Sequence, residues 1–488
     1  MPLTKVKLIA PLFLLLAILV QAPIGAQEIR KEISPTIEAI LKKNAIPKEA
    51  LRFHFQDLDN PLVTKGYQEE SPFIPASLTK VFTAVHALKK LGPDFRYRTQ
   101  LFTKGELNKA NGVFTGDLIL KGSGDPSLTM ARLMDLVLEL RSFGLKSLKG
   151  NFYYDDSILP SLPMLSQFGN GDQTYNPGIS ALNLEYNRIT LYKDARQTKQ
   201  AVFQAIPSTG HFFIQKEAKS FSNGQRFEFL EGASGETWAV SNKIRYRQFE
   251  DIPVRKPSKR TAYSFKSLAA LWGIQLPAPK PKEVPKGSTL IAGDLAPPLS
   301  RLLALTLEYS NNLFAEQVML TATKKTDIAE GAQELTKWLK GKIPKCNPIL
   351  INGSGLTHEN FVKPVCFTAF LSEYALKPGL GRGFMSMLSI SGASGWMRKR
   401  LRTPDTAYRV WAKTGSLDYI DNMTGVLFSS SGKRYAFVFS ISDLEKRSII
   451  DKGEESKKIL KLKRQVSRWR RKSRKTAEEL LTHFIETL

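Results

Sequence analysis

Cysteine and histidine are scarce in this chain. Of its 488 residues, two are cysteines (Cys346 and Cys366) and five are histidines. Two cysteines can form one disulfide, which is far from the dense framework of a small disulfide-stabilised protein. The histidines are scattered, and none has a partner at a metal-ligand spacing such as HExxH. The sequence therefore indicates neither a zinc enzyme nor a serine hydrolase of the Ser-His-Asp type.

Acidic residues are few relative to basic ones. The chain has 71 Lys and Arg against 45 Asp and Glu, a formal net charge of +26. Such a charge favours an anionic partner, and nucleic acid, a lipid surface and an acidic cell-wall polymer all satisfy it. A hydrophobic content of 42% is enough for at least two packed domains.

The N-terminal apolar run is too short to cross a membrane. It covers residues 8–20, 13 residues, where a spanning helix needs roughly 20. Lys5 and Lys7 precede it, and small residues follow it as far as Ala26. This order is typical of a secretory signal peptide over residues 1–26, cleaved after Ala22 or Ala26. We expect an exported, periplasmic protein, with membrane association as an alternative, and export argues against a nucleic-acid partner.

Apolar spacing and turn residues predict the main elements. Alternating residues over 51–67 predict a β-hairpin, and a helix with Leu78, Val81 and Val85 on its inner face is predicted to begin at Ser77. Short strands and turns follow from about residue 97, and a Pro/Lys-rich stretch over 276–287 is typical of a surface linker. Residues 298–324 show one long helical pattern, and two strands are predicted on either side of a Ser-Gly-Lys turn near residue 432.

Ser77 and Lys80 stand three residues apart at the predicted helix start. Residues i and i+3 share a helix face, so the hydroxyl and the amine can meet. Lysine can take the serine proton only if burial or cationic neighbours lower its pKa from the ordinary ~10.4. Taken alone, the pair is a weak signal, because chance often produces S-x-x-K, and a helix cap beside a solvated charge explains it.

Two later motifs have residue types that can complete such a site. In Ser310-Asn311-Asn312, a hydroxyl can relay a proton and an amide can bind a substrate carbonyl and the lysine. Lys413-Thr414-Gly415 ends a predicted strand and can bind a carboxylate, with the glycine letting substrate approach closely. Each motif alone also fits an ordinary helix surface or a strand that ends in a turn.

The order S-x-x-K, S-x-N, K-T-G is the motif set of serine β-lactamases and penicillin-binding proteins. Because 229 residues separate Lys80 from Ser310, the chain resembles the penicillin-binding protein 4 type of D-alanyl-D-alanine carboxypeptidase/endopeptidase more than a β-lactamase. The phrases "GDLILKGSGDPSLT", "SNNLFAEQ" and "NGSGLTHEN" resemble that family in matching order, and the resemblance covers roughly residues 51–442.

The resemblance implies an α/β (α+β) fold, in which helices flank an antiparallel sheet and a large strand-rich insert separates the first two motifs. It implies the following division of the chain: a signal peptide (1–26), a catalytic domain (27–96 and 287–442), an insert (97–286), a basic extension (443–475) and a C-terminal helix of the catalytic domain (476–488).

The resemblance also implies residue roles. Ser77 corresponds to the acylated nucleophile, Lys80 to its general base, Ser310 and Asn312 to the second motif, and Lys413, Thr414 and Gly415 to the substrate-binding strand. The oxyanion hole would consist of the backbone N–H groups of Ser77 and Ser416. Asp155, with Asp156 as an equally placed candidate, resembles an acid of the insert that reaches toward the free amine of a diaminopimelate side chain.

The implied substrates are peptidoglycan peptides, the implied inhibitors are β-lactams, and the mechanism needs no metal or organic cofactor. Two alternatives stay open: a serine β-lactamase, and a catalytically silent cell-wall-binding protein of the same fold. The chain departs from the family at residues 391–400, "SGASGWMRKR", where a Gly-x-Asp-Gly-Thr-type turn usually precedes the K-T-G strand.

The segment 457–475 carries eleven Lys and Arg. One interpretation is a solvated helix or loop. The other is electrostatic docking on an anionic membrane surface or cell-wall polymer, with an apolar side formed by Ile459, Leu460, Leu462, Val466 and Trp469.

Overall fold

The computed structural model describes residues 33–168, 172–193, 203–206, 212–216, 227–231, 235–241, 249–374, 383–451 and 457–488. The predicted signal peptide, residues 1–26, lies outside the described residues. Among the helices of the described ranges, none is both long enough and apolar enough to span a bilayer.

In chain order, the described α-helices are α1 (Pro35–Lys43), α2 (Thr79–Leu91), α3 (Met130–Ser142), α4 (Pro257–Leu271), α5 (Leu299–Tyr309), α6 (Asn312–Thr323), α7 (Ile328–Lys342), α8 (Pro364–Tyr374), α9 (Leu444–Asp451) and α10 (Lys457–Thr487). The strands are β1 (Leu51–Asp57), β2 (Thr64–Tyr67), β3 (Arg98–Asn108), β4 (Val113–Lys121), β5 (Ser147–Lys149), β6 (Phe152–Asp155), β7 (Arg188–Lys193), β8 (Phe203–Ile206), β9 (Phe212–Lys216), β10 (Phe227–Glu231), β11 (Glu236–Val240), β12 (Phe249–Pro253), β13 (Lys280–Pro281), β14 (Thr289–Leu295), β15 (Ser389–Ile390), β16 (Val410–Leu417), β17 (Ile420–Phe428) and β18 (Arg434–Ser442).

The first sheet brings the two ends of the described chain together. Its order is β15-β16-β17-β18-β1-β2, and every neighbouring pair is antiparallel. The alternation that predicts β1 also sets its register, because Phe53 and Phe55 pair with Phe439 and Phe437 on one buried face. The predicted hairpin over 51–67 and the strand pair β17–β18 are therefore confirmed.

Helices cover both faces of this sheet. On one face, α2, α5, α6, α7 and α8 form an apolar core with Val426 and Val438 of the sheet. On the other face, α1 and the C-terminal half of α10 pack on the phenylalanines of β1 and β18. Cys346 and Cys366 form a disulfide beside the first core. The predicted class, an antiparallel sheet flanked by helices, is confirmed.

A second sheet, in the order β13-β6-β4-β3-β14 with β5 beside β4, lies between the first two motifs in sequence. Leucines of α3 and Phe265 of α4 form its core. Two three-stranded sheets, β10-β11-β9 and β12-β7-β8, share an apolar cluster around Trp238. The predicted strand-rich character of this region is therefore present.

The predicted helix over 298–324 is in fact two helices. Ser310 has a left-handed backbone with φ 59°, so α5 ends at Tyr309. Asn311 then caps α6 by accepting a hydrogen bond from the backbone N–H of Phe314 at 3.2 Å. A single helix was wrong because the polar pair at 310–311 interrupts the apolar repeat and offers a new N-cap.

One predicted domain boundary precedes the last strand of the insert's sheet, and another falls within a helix. Strand β14 pairs with β3, so the second sheet continues to residue 295, beyond the boundary predicted at 286. Helix α10 runs through the boundary predicted between residues 475 and 476. Part of the predicted linker also pairs, because β13 adds to the edge strand β6. The division into domains otherwise stays a prediction.

The apolar side of the basic segment is not available to lipid. Ile459, Leu462 and Val466 are buried, and Leu462 and Val466 pack with Trp469 on Tyr419. Leu460 is exposed. The expectation that this side contacts lipid or polymer was therefore wrong, since most of it lies against the domain. Docking through the exposed basic side chains alone stays a prediction.

Candidate active site

The nucleophile candidate lies on a strained turn that two other segments hold. Residues 76–78 form a 3-10 turn directly before α2, and Ala76 has a left-handed φ of 50°. A Cβ at Gly355 (φ +74°) would overlap the carbonyl oxygen of Ala76. The Asn422 amide donates to the carbonyl oxygens of Ile74 (2.9 Å) and Pro75 (3.1 Å). Strain held in this way by its surroundings is typical of functional sites.

Gly415 lets strand β16 pack closely against the turn that carries Ser77. A Cβ at that position would lie 2.8 Å from the carbonyl oxygen of Pro75 and 3.1 Å from the backbone nitrogen of Leu78. Only a glycine therefore lets β16 lie against the turn that carries Ser77. The sequence interpretation assigned this closeness to substrate, whereas the structure assigns it to the chain's own backbone.

Lys80 contacts Ser77 as the spacing predicts. Its Nζ lies 3.0 Å from Ser77 Oγ, 2.7 Å from Asn312 Oδ1 and 2.5 Å from the carbonyl oxygen of Ser354. The side chain is fully buried. Burial lowers the pKa of Lys80 to about 7, against the opposing effect of the Glu316 carboxylate. A neutral amine near neutral pH can accept the serine proton.

Glu316 is a buried acid that the motif analysis missed. Its carboxylate accepts hydrogen bonds from the backbone N–H groups of Gly353 (3.0 Å) and Ser354 (2.8 Å). Burial raises its pKa, and these bonds and the charge of Lys80 act in the opposite direction. Glu316 thus fixes the loop whose carbonyl group binds Lys80. The available signal was a glutamate four residues after Asn312, the spacing of one helix turn.

A second buried lysine faces the second motif. Lys413 Nζ lies 3.0 Å from Ser310 Oγ and 2.5 Å from the carbonyl oxygen of Thr414. Burial, and then the charge of Lys80, holds the pKa of Lys413 well below its usual range. The left-handed backbone at Ser310 places its hydroxyl at the junction of α5 and α6, between the two lysine-bearing elements.

Asn312 is held on its other side by the insert. Its Nδ2 donates to the carbonyl oxygen of Tyr175 at 2.9 Å. The segment that carries Tyr175 is anchored by buried Arg255, whose guanidinium donates to the carbonyl oxygens of Pro163 (2.9 Å) and Asn176 (2.8 Å) and to Asp172 (2.7 Å). Since Asn312 has a second N–H donor, it can still bind a substrate carbonyl.

Several residues of the three motifs line one large cleft with a volume of ≈ 1690 Å³. Ser77, Ser310, Asn312, Thr414 and Ser416 all line it. The structure thus brings together the three motifs and both residues predicted to form the oxyanion hole. Within the described residues, no group of three or more His, Cys, Asp and Glu side chains could hold a metal ion.

Asp155 is not brought to this cleft. Its buried carboxylate accepts hydrogen bonds from Ser157 and from the backbone N–H of Val284 (3.0 Å), and Lys121 lies 3.4 Å away. The hydrogen bonds and Lys121 lower its pKa despite burial. The carboxylate therefore fixes a turn of the insert and the neighbouring strand. The amine-binding role predicted for it, or for the half-buried Asp156, has no support from this placement.

A family model agrees with this arrangement. The D-Ala-D-Ala carboxypeptidase 3 (S13) family matches residues 33–462. The chain belongs to this family. Its members are serine peptidases by name and motif, so the protein is a hydrolase of this class. The family resemblance inferred from the three motifs is thereby confirmed.

Individual relatives are distant in sequence. The chain is 27% identical over 429 residues to "D-alanyl-D-alanine carboxypeptidase DacB" of Haemophilus influenzae, covering 81% of this chain and 87% of the relative. It is similar to the crystal structure of penicillin binding protein 4 from H. influenzae, with a TM-score of 0.73, 22% identity, and coverage of 92% and 99% of the two chains. A second structure of that protein, complexed with a β-lactam, gives a TM-score of 0.70 at the same identity and coverage. At 22% identity, the structural likeness shows a shared fold.

Proposed function

We propose that this protein, through an acyl-enzyme on Ser77, cleaves the amide bond after a D-alanine of a peptidoglycan stem peptide. The bond leads to a terminal D-alanine in carboxypeptidase action or to a cross-linked second peptide in endopeptidase action, and the protein performs one or both reactions. The observation that carries the proposal is the contact of Ser77 Oγ with a buried lysine whose pKa is about 7. Family membership and the exported character expected from the N-terminus support it.

Acylation begins with proton transfer. Lys80 takes the proton of Ser77 while Oγ attacks the carbonyl carbon of the penultimate D-alanine. The developing oxyanion accepts hydrogen bonds from the backbone N–H groups of Ser77 and Ser416, each worth ~10²–10³ in rate in enzymes of comparable design. Asn312 holds the substrate amide and, through its Oδ1, the amine of Lys80.

The C–N bond then breaks, and the leaving amine needs a proton. Ser310, whose hydroxyl contacts Lys413 and lines the same cleft, relays to this amine the proton that Lys80 took from Ser77, and this returns Lys80 to its neutral form. Lys413 and Thr414 bind the carboxylate of the leaving residue. Water activated by Lys80 then hydrolyses the ester and restores the Ser77 hydroxyl. A β-lactam would enter by the same first step and stay bound as an ester, which makes it an inhibitor.

A fluorescent penicillin tests the assignment of Ser77. Wild type is expected to become labelled and to release D-alanine from a pentapeptide. Ser77→Ala should abolish both, with little change in the thermal melt, because the hydroxyl has no role in the core. A wild-type protein that never labels would indicate a silent cell-wall-binding protein. Rapid turnover of penicillin without release of D-alanine would indicate a β-lactamase.

A further inference from the structure

The cleft that contains Ser77 has a basic side. Six basic residues form this side, which is called here the basic wall. Three come from the segment between β15 and β16 and three from α10: Arg398, Lys399, Arg400, Lys463, Arg470 and Arg474. The full lining has eight Lys and Arg side chains against three carboxylates, Asp418, Asp451 and Glu478. The segment before β16 is where the chain departs from the family pattern, and α10 carries the basic run of the sequence.

Part of this charge has no ion-pair partner among the residues that the structure describes. Arg470 pairs with Asp418 at 3.4 Å and Arg400 with Glu478 at 3.2 Å. Lys399 and Lys463 are exposed, and neither forms an ion pair with any residue of the described ranges. The carboxylates that line the cleft therefore leave at least these two cations available to an anion from solution.

The basic wall is held in place against the catalytic sheet. The Tyr419 hydroxyl donates to the carbonyl oxygen of Leu462 at 2.8 Å, and the rings of Tyr419 and Trp469 are 5.4 Å apart. Tyr419 lies in the turn between β16 and β17, three residues after Ser416. The position of α10 is therefore tied to the strand that lines the active site.

The position of the wall defines what it can bind. The lining continues from Thr414 and Ser416 through Leu417 to Asp418, the partner of Arg470. If Lys413 and Thr414 bind the carboxylate of the leaving residue, the space beyond them receives whatever is attached to that residue. In carboxypeptidase action, nothing is attached, because free D-alanine leaves. In endopeptidase action, the leaving amine belongs to a second stem peptide with further carboxylates.

We propose that the basic wall is a subsite for the carboxylates of the second stem peptide in a cross-linked peptidoglycan substrate. The proposal rests on the proposed function and makes the endopeptidase reaction the one that the cleft favours. Charge complementarity supports it, since Lys399 and Lys463 can attract a free carboxylate without displacing an ion-pair partner from the described ranges. The size of the cleft also supports it, because ≈ 1690 Å³ exceeds the ~300–1,000 Å³ typical of a small-molecule pocket.

The test compares a Lys399→Gln/Lys463→Gln double variant with a Lys461→Gln/Arg468→Gln control. Both control residues lie on α10, as Lys463 does. Lys461 and Arg468 are exposed and do not line the cleft. The measurements are kcat/KM for a cross-linked muropeptide dimer, kcat/KM for a monomeric pentapeptide, and the rate of penicillin acylation. We expect the double variant to lose tenfold or more on the dimer and less than twofold on the other two, and the control to lose less than twofold on all three.

Two further arms identify the anion. A dimer in which the carboxylates of the second stem peptide are amidated, except that of the leaving residue, should be cleaved by wild type as slowly as the double variant cleaves the unmodified dimer. High salt should narrow the difference between wild type and double variant, because screening weakens attraction between exposed charges. An equal loss on all three substrates, or undiminished cleavage of the dimer, would overturn the subsite. Failure of wild type to react with penicillin at all would instead overturn the proposed function and the subsite with it.

Discussion

Two sets of basic side chains face one cleft and differ in almost every physical property. Lys80 and Lys413 are buried, and hydrogen bonds to hydroxyl and carbonyl oxygens hold each of them. Lys399 and Lys463 are exposed, and no ion pair within the described ranges holds them. Burial lowers the pKa of the first pair, and Lys80 reaches about 7. We therefore propose that the same residue type serves as a base at Lys80 and as a fixed positive charge in the basic wall.

The difference shows what each set can contribute. A buried amine has lost its hydration, so it gives up its proton readily and can take the proton of a hydroxyl. An exposed amine keeps its charge and attracts anions over a distance that salt screens. In this proposal, the proton transfer by Lys80 and the attraction of further carboxylates by Lys399 and Lys463 belong to different lysines of one cleft, and four predictions separate these roles.

The largest expected effect comes from exchanging lysine for arginine in both sets. Lys80→Arg keeps a cation but removes a group that can become neutral, so penicillin acylation should fall by ~10³, within the range for loss of a general base. Lys463→Arg keeps the only property that the basic wall needs, and dimer cleavage should stay within twofold of wild type. Stopped-flow acylation and muropeptide digestion measure both. Similar losses in the two variants would contradict the division of roles.

The next prediction concerns the helix that carries half of the basic wall. Leu462 is buried against Tyr419, so Leu462→Ala should lower the free energy of unfolding by ~2–4 kcal/mol. Leu460→Ala, at an exposed position two residues earlier, is the matched control and should cost under ~1 kcal/mol by the same principle. Urea unfolding monitors both. Equal, negligible effects would mean that this part of α10 is a solvated extension.

The pH dependence of acylation distinguishes a buried base from an exposed cation. Because Lys80 must be neutral to act, the acylation rate should rise through about pH 7 and then level off. Glu316→Gln should move this midpoint to lower pH, since the carboxylate raises the pKa of Lys80. Glu334→Gln, at an exposed position on α7, should leave it in place. A flat profile between pH 5 and 9 would exclude Lys80 as the titrating base.

The smallest expected effect on stability comes from substituting the basic side chains of α10 that do not line the cleft. A Lys461→Gln/Arg464→Gln/Arg468→Gln variant should change stability by less than ~0.5 kcal/mol, since all three side chains are exposed. Sedimentation with anionic vesicles at low salt tests the remaining docking hypothesis for the segment 457–475. Sedimentation lost in this variant would assign these bases to a lipid surface, and unchanged sedimentation would leave them solvated.

Much of the site was predictable because its residues carry recognisable motifs at recognisable spacing. The contact of Ser77 with Lys80 follows from one turn of a helix, and the strand containing Lys413 was predicted from its local sequence. Tyr175 and Arg255 were missed because nothing in their local sequence separates them from surface residues, and Glu316 was missed although its spacing of one helix turn from Asn312 was an available signal. Their roles come from segments far apart in the chain, such as the loop at 353–354 and the insert. Ser310 was placed on a continuous helix because apolar periodicity does not report a single left-handed residue.

The amino-acid sequence alone determined which residues could perform acyl transfer, since the motif order and the long insert already identify the family. Only the tertiary structure decided how those residues behave. The pKa of a lysine depends on the water removed around it and on the groups packed against it, and residues distant in sequence supply both. The same holds for the segment 457–475: its composition gave it charge, but packing on Tyr419 decided that Lys463, Arg470 and Arg474 line the cleft that Ser77 also lines.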